Sequence, residues 1–122
     1  MTPKEWLQRG WKINQRINRL LFQKQQAKKA LLKNECTLES YDNFEKLINS
    51  HIDELFKIKI DIINALTYIH DEKLFAVLFN RYVNFYTWER IAENMNYSVV
   101  HVYRLHGQAL KEFKKVMDTE NI

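Results

Sequence analysis

Two glycines and one proline in 122 residues are the tightest constraint this chain places on its fold. Sheets need turn residues every few positions, and glycine and proline supply most of them. A chain that nearly lacks both is expected to be all-α, built from long helices joined by few loops.

Hydrophobic spacing divides the chain accordingly. Pro3 suits a first helical turn, where its missing N–H is not needed. Trp6, Gly10, Ile13, Ile17, Leu20, Lys24, Ala27 and Leu31 then recur in steps of four and three. This heptad seam predicts one helix from Pro3 to about Lys33. Asn34, Glu35, Cys36 and Thr37 read as a loop. A second helix is expected to start between Leu38 and Phe44 and reach about Ile69, with Leu47, Ile48, Ile52, Leu55, Ile58, Ile62, Leu66 and Ile69 as its apolar stripe. So short a loop makes the two helices antiparallel neighbours, a coiled-coil-like hairpin over residues 1–70.

Charge fits that pairing. Net charge is +4 overall. Residues 1–36 hold nine basic and two acidic groups, and residues 37–72 hold three basic and eight acidic. The two blocks are expected to face each other. A lone hairpin would still leave Trp11, Phe22 and Phe56 uncovered, so a homodimer through the hairpin is expected, with packing against the C-terminal domain as the alternative.

Residues 71–122 read as a second domain. Asp71 is placed to cap a helix running through Leu74, Val77, Leu78, Arg81 and Tyr82, with Glu72 in its first turn. Asn84, Phe85 and Tyr86 break it. Thr87 caps a short helix, Trp88 to Met95. Asn96 and Tyr97 turn the chain, and Ser98 caps a last helix from Val99 to about Val116.

Two short helices across so brief a turn suggest a helix-turn-helix. Ala92 is small where the helices cross. Asn96 is where the turn needs a left-handed residue, which Asn tolerates. Val102 and Leu105 are the inward positions of the second helix. Val99, Val100, His101, Tyr103 and Arg104 are then left to read base edges, as the N-terminal residues of a recognition helix do. Arg104 suits bidentate bonding to guanine. Thr87, Trp88, Ser98, Lys111, Lys114 and Lys115 are the candidate phosphate contacts, the two caps because helix N-termini favour anions. His106 reads as a packing or phosphate residue, and Gly107 as a point where another helix comes close. Arg9, Lys12, Arg16, Arg19 and Lys28 form a basic run that reads as the solvated or salt-bridged flank of a helix, with a second DNA surface as the alternative.

The runs LFNRY (78–82), TWERIAENMNYS (87–98) and VVHVYRLHGQAL (99–110) resemble region 4 of sigma-70 factors, the promoter-reading tri-helical module. More closely, the chain resembles small phage and prophage proteins related to ArpU- and RinA-type activators of late transcription. Their closing pattern is matched by Trp88, Ile91, Ala92, Met95, Tyr97, Ser98, His101 to His106, Gly107, Ala109 and Leu110. The resemblance implies double-stranded DNA as partner, RNA polymerase as a further one, transcriptional control of a phage operon, and no catalysis. Val99 and Val100 stand where the sigma module carries charged residues, so no target sequence carries over. The chain also has no room for the region that melts promoter DNA.

Other functions find little here. Cys36 is the only cysteine, which excludes an internal disulfide and points to a reducing intracellular compartment; the resemblance implies that this is the cytoplasm of a bacterial host. His51, His70, His101 and His106 show no metal spacing with it. No glycine-rich phosphate loop exists. No enzyme and no cofactor is expected. The alternatives are a small-terminase-like DNA-recognition component of phage packaging, and a helical interaction protein that binds no DNA.

Overall fold

A computed structural model describes all residues, 1–122. It is all-helical and contains no strand. The helices are α1 (Pro3–Leu7), α2 (Arg9–Leu32), α3 (Leu38–Leu66), α4 (Glu72–Tyr82), α5 (Trp88–Met95) and α6 (Val99–Glu120). None is long and apolar enough to cross a membrane.

The expected first helix is interrupted at Gln8. Thr2 caps α1, its Oγ1 accepting from Glu5 N at 3.1 Å. The Arg9 guanidinium then bends back. Its Nε donates to the Trp6 carbonyl at 3.0 Å, and its charge lies 4.2 Å from the centre of the Trp6 ring. A side chain that takes a mid-helix carbonyl competes with the backbone ladder, which is a recognised cause of a break.

Two compact units result: Trp11–Ile58 is one, and Met1–Gly10 with Lys59–Ile122 is the other. These borders differ from a division at residue 70. The N-terminal residues pack on α6 instead of extending the hairpin, with Trp6 and Phe113 rings 5.4 Å apart.

In the unit Trp11–Ile58 the buried side chains are Ile13 and Ile17 of α2 and Ile48 and Leu55 of α3. Residues 33–37 join the helices. Asn34 takes the left-handed conformation at φ 59°, with Glu35 N donating to Ala30 O and Asn34 N to Leu31 O, a Schellman closure. Thr37, expected in the loop, caps α3 by accepting from Ser40 N at 3.1 Å. A single ion pair, Lys24 Nζ to Glu45 Oε1 at 3.0 Å, links α2 to α3. The basic and acidic blocks therefore do not zip together as expected. Lys24 is the one charge on the α2 seam, while Lys12, Arg16, Arg19, Lys28 and Lys29 point to solvent. The α3 stripe is also narrower than expected: Leu47 and Ile52 are 46% and 43% exposed. The four positions 47, 48, 52 and 55 cover too wide an arc for one partner helix.

In the other unit α6 packs against α1, α4 and α5. Phe113, Leu7, Ile62, Leu66, Val77, Leu78, Ile91 and Val102 are fully buried. Asp71 caps α4, its Oδ1 accepting from Lys73 N and Leu74 N at 2.9 and 3.1 Å. After α4 the left-handed residue is Phe85, φ 58°. A bulky side chain is uncommon there. The Lys59 ammonium lies 5.0 Å from its ring.

Candidate nucleic-acid interface

The segment from α5 through α6 is shaped by three local devices. Thr87 Oγ1 accepts from Arg90 N at 3.2 Å and starts α5. Asn96, at φ 57° and ψ 40°, ends it. Tyr97 N donates to Ala92 O at 3.0 Å and Asn96 N to Glu93 O at 3.2 Å, the two bonds of a Schellman motif. Ser98 Oγ then accepts from His101 N at 3.1 Å and starts α6. Ile91 and Ala92 of α5 are buried against α6, which in turn buries Val102, Leu105 and Ala109.

Because Val102 and Leu105 are 0% and 7% exposed, the opposite side of α6 faces solvent. Val100 is 67% and Tyr103 49% exposed there, and Arg104 stands beside them without an ion-pair partner. Gly107, Lys111 and Lys114 continue the same side at helical spacing and are exposed. Lys115 is also exposed but bonds Glu112 Oε1 at 3.1 Å. Val99 and His101 are half-buried at the margins, the His101 ring standing edge-on to Tyr97 at 4.5 Å. Of the five candidate base readers, three therefore share the open face and two flank it.

Trp88 is half-buried in a stack that its position in the sequence does not reveal. Its ring meets Tyr103 at 5.3 Å and His106 at 4.7 Å, both edge-on. Arg81 lies 4.2 Å over it and donates from a terminal guanidinium N to the Tyr86 carbonyl at 2.9 Å. Arg90 similarly covers Tyr86 at 3.8 Å. Tyr82 Oη and His106 Nε2 are 2.6 Å apart. Burial pushes the Tyr82 hydroxyl up to about 12 against the opposing charge of Arg81. Burial pushes His106 down to about 4, helped by Lys4 and Arg81. Near neutrality the pair is a phenol and a neutral imidazole. The His106 ring packs between Tyr82 and Trp88. The sequence carried no signal for this contact, because its partners are separated by a whole helix and two turns.

Gly107 is a correction. No atom lies within 4 Å of where its Cβ would be, so no helix approaches it. It is simply exposed on the open face of α6.

No protein-family model matches the chain, and comparison with curated proteins and with solved structures finds no match.

Proposed function

We propose that the chain is a phage-type, sequence-specific DNA-binding transcriptional regulator, an activator of a late operon. In this reading α4, α5 and α6 form a sigma region 4-like helix-turn-helix domain, and α2 with α3 forms a hairpin used for association. The observation that carries it is the outward stripe of Val100, Tyr103 and Arg104, anchored from below by Val102 and Leu105. A helix held this way offers its first two turns to a major groove. Val100 suits a thymine methyl, and Arg104 suits the guanine edge. The N-termini of α5 and α6, capped by Thr87 and Ser98, supply N–H groups for phosphate. Lys111, Lys114 and Lys115 extend the positive charge along α6.

The test starts by selecting bound fragments from a random DNA pool. Arg104→Ala should weaken the selected site by about 1–3 kcal/mol and relax its sequence preference. Lys114→Ala should weaken every DNA about equally. Unchanged affinity of Arg104→Ala on the selected site would falsify the reading face.

A further inference from the structure

The unit Trp11–Ile58 carries a second stripe on each helix, one position after the buried seam. On α2, Leu21, Lys28 and Leu32 lie along it. On α3, Leu38, Asp42, Ile52 and Phe56 do. Leu32, Leu38 and Phe56 are 77%, 62% and 62% exposed, and Leu21 and Ile52 more than 40%. One residue advances a helix by about 100°. Since α2 and α3 run in opposite directions, the same offset turns both stripes to the same side of the pair. The intervening positions keep steps of four and three: 14, 18, 21, 25, 28 and 32 on α2, and 38, 42, 45, 49, 52 and 56 on α3. Of these twelve positions Leu21, Leu32, Leu38, Ile52 and Phe56 are apolar, and an opposing helix would cover them.

Charge and size identify the occupant. α2 holds seven basic and no acidic residues, and only Lys24 among them is ion-paired. α3 holds six carboxylates and three lysines, and its Asp42, on the exposed stripe, has no ion-pair partner. On the face itself the unpaired charges are Lys28 of α2 and Asp42 of α3, one of each sign, which is what a second identical hairpin complements. Residues 11–32 span about 33 Å, and two helices side by side are about 20 Å wide, so the face offers roughly 650 Å². That is close to the ~800 Å² per partner of a standard interface.

We infer that this face binds a second copy of the chain, with the two-fold axis parallel to the helices so that α2 of one copy lies on α3 of the other. The perpendicular alternative would lay α2 on α2, which holds no carboxylate to meet Lys28. The Lys24–Glu45 pair sets the register. Lys28 then stands level with Tyr41 and Asp42, so Lys28 of one copy meets Asp42 of its partner, and Leu32 meets Leu38. The inference does not depend on DNA binding.

Sedimentation equilibrium of the full chain, without DNA, tests it. The expected result is a reversible dimer. Phe56→Asp should weaken it at least tenfold while helicity by circular dichroism is retained. Lys28→Glu and Asp42→Lys should each weaken it about three- to tenfold, and the double variant should return to within about twofold of the parent. The charge variants sit on exposed positions, so they keep the test valid if Phe56→Asp fails to fold. A single-chain mass at tens of micromolar, a ring of many subunits, or a double variant weaker than either single one would overturn the proposal.

Discussion

At the scale of single residues, His106 is the most informative. Its folded pKa is about 4, below the ordinary 6.5. Between those values an unfolded chain binds a proton that the folded chain refuses. The stabilisation is therefore complete above about pH 6.5, is lost progressively below it, and is gone under about pH 4. Solvent reaches part of the ring, so the loss from pH 7 to pH 5 should be only about 1 kcal/mol. Urea titrations of the parent and of His106→Gln at both pH values isolate it from the other three histidines. Equal pH dependence in the two proteins would remove His106 as the cause. Gly107 gives a prediction of opposite sign. A helical glycine costs about 1 kcal/mol against alanine, and the space around it is open. Gly107→Ala should raise stability by up to about 1 kcal/mol. If it does so and also weakens the selected DNA site, the glycine serves close approach of the nucleic acid to α6. A stabilised variant with full affinity would assign it no part in binding.

At the scale of elements, the caps carry the α5–α6 geometry. Ser98→Ala removes the acceptor for His101 N and should cost about 1 kcal/mol, as cap deletions do. Ser98→Gly should cost only a few tenths. Equal losses in denaturant titrations would mean that the hydroxyl does little for α6. These caps were legible because they are local. Asp71, Thr87, Asn96 and Ser98 each act within three or four residues, so residue type and spacing sufficed. The burial of Val102 and Leu105 was legible for the same reason, since a helix repeats its faces on a fixed period. What escaped was non-local or competitive. The break at Gln8 depends on Arg9 choosing the Trp6 carbonyl over solvent. The Tyr82–His106 pair joins residues whose separation carries no periodic signature. The failed charge zipper between α2 and α3 shows the limit of block counting. Net charge per segment says nothing about which side of a helix the charges occupy, and only Lys24 occupied the seam. Phe85 in a left-handed conformation, in a run where the neighbouring Asn84 would accept it more readily, has no account in the sequence.

At the scale of the whole molecule, charge separates the readings. Binding through Lys111, Lys114 and Lys115 alone neutralises about three phosphates per copy, which predicts a slope of log K against log salt near −2.7 per copy, or about −5 for two copies bound together. Lys114→Ala should reduce that slope by about one per copy. The exposed basic run on α2 adds a second arm to the measurement. If Lys12, Arg16 and Arg19 also lie on DNA, the slope steepens to about −5 per copy, and replacing all three with Gln should bring it back to that of α6 alone. If they lie on solvent, the triple variant leaves the slope unchanged while the selected site is still recognised. A slope of zero with every fragment would leave no role for either basic surface. The chain would then be a helical interaction protein whose one remaining assignment is the hairpin face, and the mass measurement without DNA would decide that assignment by itself.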